Sequence, residues 1–121
     1  MDARLAVTSL AALAQESRLH IYRLLVEAGP SGLAVGEIGA SVRVAPATLS
    51  FHLKELAHAG LVKSRQDGRF IRYSASFARM NRLLAYLTDN CCSRDGVACG
   101  TGCAPKRRAR RDTTRTRPKE P

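Results

Sequence analysis

Apolar residues recur along the first 90 positions with a helical period, and one short stretch breaks it. Leu10, Leu13 and Ala14 share one side of an Ala- and Leu-rich segment, which predicts a first helix over residues 4–14. Ile21, Leu24, Leu25 and Ala28 follow the i, i+3, i+4, i+7 spacing of a second helix from about Ser17, and Gly29-Pro30 stops it. Ser31-Gly32 opens a loop. Val35, Ile38 and Val42 then turn one side of a short helix, residues 35–41, inward. The next segment is the most clearly patterned. Pro46 suits a first helical turn, where its missing N–H costs nothing. Leu49, Leu53 and Leu56 form a buried stripe, and Gly60 suits the position just past the helix end. Two strands follow, residues 62–66 and 69–74, joined by Asp67-Gly68, a two-residue hairpin signal. A last helix from about Ser76 to Asn90 carries Phe77, Met80, Leu84, Leu87 and Cys91 near one stripe, widened by Leu83 and Tyr86.

This order predicts a mainly α fold with a small β-hairpin, a winged helix-turn-helix. A helix opening at Pro46 can lie in a major groove with its first residues on base edges. Ala47, Thr48, Ser50, Phe51 and Lys54 avoid its buried stripe and are the candidate DNA contacts. Ser50 can reach a base or a phosphate, and Lys54 suits a phosphate, which positions without specifying. Phe51 has two readings: partial burial against the hairpin, or apolar contact with a thymine methyl. Lys63, Arg65, Arg69 and Arg72 decorate the hairpin, with Arg65, Arg69 and Arg72 taken as its DNA contacts. His52 neighbours the Leu49/Leu53 stripe and reads as a packed, hydrogen-bonded histidine. His20 and His58 carry no metal signal. No Ser/His/Asp set, paired-carboxylate pocket or glycine-rich phosphate loop appears, so no enzyme is expected.

Charge sharpens this picture. The net +10 is uneven: −1 over residues 1–42, +6 over 43–82, −1 over 83–103 and +6 over 104–121. A basic block inside the patterned part points to a polyanion, most commonly nucleic acid. At 121 residues the chain is one small domain with a tail, and so thin a core gains from oligomerisation. The expected division is residues 1–90 for DNA binding and dimerisation, 91–103 for a cysteine-rich segment, and 104–121 for a basic disordered tail that adds sequence-independent affinity. No apolar run reaches the roughly 18 residues of a membrane span. The N-terminus lacks a signal-peptide pattern, so a cytoplasmic setting with reduced thiols is expected and no membrane partner.

All four cysteines fall in one thirteen-residue window: Cys91-Cys92, six residues, Cys99, three residues, Cys103. In a reducing setting such a cluster favours a metal or redox role over a disulfide framework. Thiolates select soft, thiophilic ions. Four of them suit tetrahedral zinc, and Cys99-x3-Cys103 has a usual ligand spacing, though adjacent cysteines are poor for a closed zinc site. A thiol-redox sensor is a further alternative, as is a DNA-binding protein with no metal sensing.

Three segments, in order, resemble ArsR/SmtB-type bacterial repressors. Leu13 to Leu25, reading LAQESRLHIYRLL, is similar to the family's second-helix region. Ala47 to Leu56, reading ATLSFHLKEL and continuing through Ala59-Gly60-Leu61-Val62, is similar to its recognition helix. Asp67-Gly68-Arg69-Phe70-Ile71-Arg72-Tyr73 resembles its wing. The resemblance covers about residues 8–90. It implies a homodimer joined through the first and last helices, here through Leu10, Leu13, Met80, Leu84 and Leu87. It also implies binding to double-stranded operator DNA without a cofactor, and release by an inducer. The family's cysteine pair in the short third helix is absent, since that stretch reads Leu33-Ala34-Val35-Gly36-Glu37-Ile38, and residues 76–90 hold no histidine for its zinc site. What remains resembles arsenic-responsive members with a Cys-Cys pair ending the last helix. The resemblance then implies As(III) or Sb(III) as inducer, held by Cys91, Cys92 and Cys99, with Cys103 as the alternative or fourth ligand. Gly96, Gly100 and Gly102 ease the folding back of that loop.

Overall fold

A computed structural model of the chain describes residues 1–94. The chain divides into one unit of residues 1–83 and a second from residue 84 onward. The elements are α1 (Ala3–Leu13), α2 (Glu16–Ala28), β1 (Leu33–Ala34), α3 (Val35–Val42), α4 (Pro46–His58), β2 (Val62–Asp67), β3 (Phe70–Ala75) and α5 (Phe77–Leu87). The three strands form one antiparallel sheet in the order β1-β3-β2. Helix-turn-helix and wing are therefore present as the sequence predicts.

Local signals explain most boundaries. Asp2 accepts the Leu5 N–H at 2.9 Å and caps α1, and Gln15 accepts the Arg18 N–H at 2.8 Å and caps α2. Gly29 and Gly60 follow α2 and α4 with positive φ, as the helix-ending position favours. Gly32 is compelled by space as well as by its φ of 70°: a Cβ there would collide with the Tyr73 carbonyl across the β1–β3 pair. In the first unit Ile21 and Leu25 of α2, Ile38 of α3, Leu49, Leu53 and Leu56 of α4, and Leu61 form the fully buried centre.

Two expectations need correction, and two features were not foreseen. The inward side of α1 is Ala6, Ser9 and Ala12, a set distinct from the shared side of Leu10, Leu13 and Ala14. Small residues bring α1 close to its neighbours, while Leu13 is only partly buried and Leu10 stays 42% exposed. Strand β1 was not foreseen, because two residues carry no alternation to read. The hairpin loop is Gly68-Arg69 rather than Asp67-Gly68: Asp67 pairs with Phe70, and Gly68 alone takes a positive φ. Glycine at the first of two central positions is the type II′ preference. Finally, α5 ends at Leu87, short of Asn90, and turns follow through residue 94. There the Thr88 hydroxyl donates to the Leu84 carbonyl at 2.8 Å, and Asn90 and Cys92 adopt left-handed backbone.

Candidate nucleic-acid interface and cysteine segment

Helix α4 separates its two sides cleanly. Leu49, His52, Leu53 and Leu56 are buried, whereas Ala47, Thr48, Ser50, Phe51 and Lys54 are exposed. Its opening turn is bare. Ala45 offers no side-chain cap, and Pro46 holds the first position. The early N–H groups thus face outward with a partial positive charge suited to phosphate. Arg43, exposed and left-handed at φ 56°, stands in the turn just before this end. Arg43 carries only a weak sequence signal, a lone basic residue ahead of Pro46. Phe51 is 55% exposed and tilts against the His52 ring, with centroids 5.9 Å apart. It is not buried against the wing.

Two guanidinium groups, both missed from sequence, fix α4. Arg18 of α2 donates from Nε to the Ala12 carbonyl at 2.7 Å, and its Nη1 lies 3.3 Å from His52 Nδ1. Arginine has only donors, so Nδ1 accepts and the neutral ring carries its proton on Nε2. Burial, and after it the Arg18 charge, lowers the His52 pKa below the ordinary 6.5. His52 is the packed, hydrogen-bonded histidine that the pattern indicated. At the other end Arg79 of α5 donates to the Ala59 carbonyl at 3.0 Å, a cation on the helix C-terminus. Its guanidinium covers Gly60 so closely that a Cβ there would overlap it.

The basic residues of the wing divide. Lys63, Arg65 and Arg69 are exposed. Arg72 is turned inward: it donates from Nε to the Ser31 carbonyl at 3.1 Å and from Nη2 to the Gly32 carbonyl at 3.0 Å, with Asp67 at 4.0 Å. Arg65 reaches the same Ser31 carbonyl at 3.4 Å, a long bond. Arg72 thus ties the ribbon to the turn after α2, whereas Arg69 in the loop is exposed.

Of the five candidate dimer residues, Leu13 and Met80 are partly buried against the core of their own chain. Leu10, Leu84 and Leu87 are exposed, the last two by about half.

In the second unit, Cys91 and Cys92 are exposed in the turns after α5. Their Sγ atoms lie 3.4 Å apart, and the Cys91 N–H donates to the Thr88 carbonyl. Cys99, Cys103 and the basic tail lie outside the described residues. Among the described residues no three His, Cys, Asp or Glu side chains gather as metal ligands, and no helix is long and apolar enough to cross a membrane.

Comparison with known proteins agrees with this geometry. A family described as "Helix-turn-helix domain" matches residues 13–65. The nodulation protein NolR of Rhizobium meliloti is 35% identical over 88 residues, which are 73% of this chain and 70% of that protein. A putative arsenical resistance operon repressor ArsR of Halobacterium salinarum is 39% identical over 67 residues, 55% of this chain and 51% of that protein. The solved structure of an ArsR-like transcriptional regulator from Rhodococcus sp. RHA1 superposes with a TM-score of 0.67 at 28% identity, covering 76% of this chain and 84% of the other. The chain spans 51 to 70% of the length of three curated relatives it matches, and less than two thirds of two of the three.

Proposed function

We propose a function from one premise: the chain belongs to the ArsR-type family of helix-turn-helix transcriptional regulators. The protein acts as a homodimeric repressor on an imperfect inverted repeat. Helix α4 reads the major groove through Ala47, Thr48, Ser50, Phe51 and Lys54, and the wing reaches the flanking DNA through Arg69. Binding to DNA needs no metal. Capture of As(III) or Sb(III) by Cys91, Cys92 and a third thiolate, Cys99 or else Cys103, lowers operator affinity. The exposed Leu10, Leu84 and Leu87 support a dimer, because a partner copy would bury them. Two half-sites about 34 Å apart then require two recognition helices at a fixed spacing.

The observation that carries the sensing half is the 3.4 Å separation of the Cys91 and Cys92 sulfurs. Two sulfurs held about 2.3 Å from one ion lie about 3.4 to 3.8 Å apart for angles of about 95 to 110°. The pair therefore fits two positions on a soft, pyramidal centre. The match to a putative arsenical resistance repressor supports the same reading.

Release follows from linkage: the inducer must bind the low-affinity conformation better than the DNA-bound one. The test is displacement of the full chain from labelled operator by arsenite, antimonite, zinc, cadmium or peroxide. Cys91→Ser and Cys92→Ser are expected to keep operator affinity and to lose release by arsenite. Cys99→Ser does the same, and Cys103→Ser has the weaker effect. Normal arsenite release by both Cys91→Ser and Cys92→Ser refutes the site. Release by zinc that needs all four cysteines, or release by peroxide alone, assigns the inducer to a four-sulfur or redox chemistry instead.

A further inference from the structure

Phe70 is the most exposed of the large apolar side chains among the described residues, at 65%. It opens β3 directly after the Gly68-Arg69 loop, at the tip of the wing. The register fixes its company. Directly opposed residues project to the same side of an antiparallel pair. Phe70 opposes Asp67, Arg72 opposes Arg65, and Ser74 opposes Lys63. That side of the ribbon carries the exposed Lys63, then Arg65 and Arg72, which reach back to the Ser31 and Gly32 carbonyls, and ends in an aromatic ring, with the exposed Arg69 beside it in the loop. Asp67, the only acidic group there, sits against Arg72.

This combination has a natural complement. A minor groove presents phosphates on its rims and deoxyribose along its walls. The exposed cations Lys63 and Arg69 match the rims, and an apolar tip matches the walls. A groove about 6 Å wide admits single side chains rather than a helix. We infer that Phe70 is an apolar minor-groove contact, inserted against the deoxyriboses that flank the major-groove site, with Arg69 as its cationic companion. The inference rests on the DNA-binding reading above and adds a contact that charge counting does not find.

Salt separates the two side chains. A cation that neutralises a phosphate releases a counterion, so its loss flattens the dependence of affinity on salt; an apolar contact leaves that slope alone. The experiment uses the full chain and a duplex that it selects from a random pool. Affinity is measured across salt, and hydroxyl-radical cleavage reports which deoxyriboses the protein covers. Phe70→Ser is expected to bind about tenfold more weakly at every salt, the scale of exposing a buried aromatic ring. Its slope stays at the wild-type value, and protection disappears at the outer minor-groove sugars. Phe70→Leu restores most of the affinity and the protection. Arg69→Ala lowers the slope by about one. Phe70→Ser binding like wild type overturns the inference, as does a slope change equal to that of Arg69→Ala. A shift in sedimentation of free Phe70→Ser also overturns it, since the ring would then join copies of the chain. A wild-type chain that selects no duplex overturns the DNA-binding reading itself, and this contact with it.

Discussion

Arg18 is a single side chain that holds the first half of the recognition helix, and its removal makes a two-part prediction. Arg18→Met keeps the aliphatic stem and deletes both donors. The Ala12 carbonyl loses a 2.7 Å bond, and His52 Nδ1 loses a 3.3 Å contact. Hydrogen bonds from charged donors contribute about 1.5–3 kcal/mol each when well formed. Both bonds here are only partly buried and one is long, so about 2 kcal/mol for the pair is the expected cost. The second part concerns acid. In the folded chain the His52 pKa is lowered from 6.5 by burial first and by the Arg18 charge second. The unfolded chain therefore binds a proton that the folded chain refuses. Stability from this residue is present above 6.5 and is lost as pH falls from there towards the folded value. Taking away Arg18 removes the second cause and leaves the first. The folded pKa rises towards the ordinary value, and less stability is lost to acid.

The assay is urea unfolding followed by helical circular dichroism at about pH 7.5 and about pH 5.5, a window in which ordinary carboxylates stay ionised. Protomer concentration is held fixed, because dimerisation would add to apparent stability. Arg18→Met should unfold at lower urea at the higher pH and show a smaller drop between the two. His52→Gln, which cannot titrate, should remove most of the drop. An Arg18→Met midpoint equal to wild type would refute the strut, and an unchanged drop would refute the assignment of the acid sensitivity to this pair.

Two further outcomes test the packing around α4. Gly60→Ala must hold a left-handed backbone at φ 79° and push aside the Arg79 guanidinium, so a loss of about 2 kcal/mol in urea unfolding is expected; a neutral result would refute both the left-handed backbone and the seat of Arg79 there. Tyr22→Phe should be neutral or raise stability by up to about 1 kcal/mol, because the Tyr22 hydroxyl is buried with no hydrogen-bond partner among the described residues and burial raises its pKa; a loss of that size would show that the hydroxyl has a partner elsewhere in the chain, in a second copy or in bound water.

What the sequence revealed, and what it hid, follows from the range of the interactions involved. Helices α2 and α4 and the wing were legible because each is written within a dozen residues: an apolar stripe, Pro46 at the start, Gly29 or Gly60 at the end. The inward side of α1 was not. In an Ala- and Leu-rich helix every side is apolar, and close approach to neighbouring helices chose Ala6, Ser9 and Ala12 over the larger Leu10. The wing loop was misplaced by one residue. That slip moves each cross-strand partner by two, so every side chain keeps its side of the ribbon, but Phe70 opposes Asp67 at the tip rather than Arg65. Charge was legible as a block but not as individual roles. Arg72 counts as basic wherever it points, and its carbonyl acceptors at Ser31 and Gly32 come from about 40 residues earlier. Arg18 and Arg79 were overlooked for the same reason, since His52 and Ala59 are distant in sequence. The cysteine spacing could be read directly, and the turn that brings two sulfurs to 3.4 Å adds to it a distance that spacing alone does not contain.

The proposed release sets an energetic demand that the fold can meet modestly. Driving an operator from 99% bound to 99% free requires the inducer to favour the released state by about 10⁴-fold, or about 5.5 kcal/mol. A homodimer carries two cysteine sites, so each need supply about half of this, roughly 100-fold. A charge-assisted hydrogen bond made in one state and lost in the other contributes about 1.5–3 kcal/mol. Helix α5 bears such a bond, from Arg79 to the Ala59 carbonyl at the end of the recognition helix, and the chain runs from that same helix into Cys91 and Cys92. One bond of that kind per protomer, coupled to thiolate capture, is the right size. On the proposed reading, release would need neither unfolding of the core nor loss of a dimer, only the making and breaking of a bond of the Arg79–Ala59 kind in each protomer.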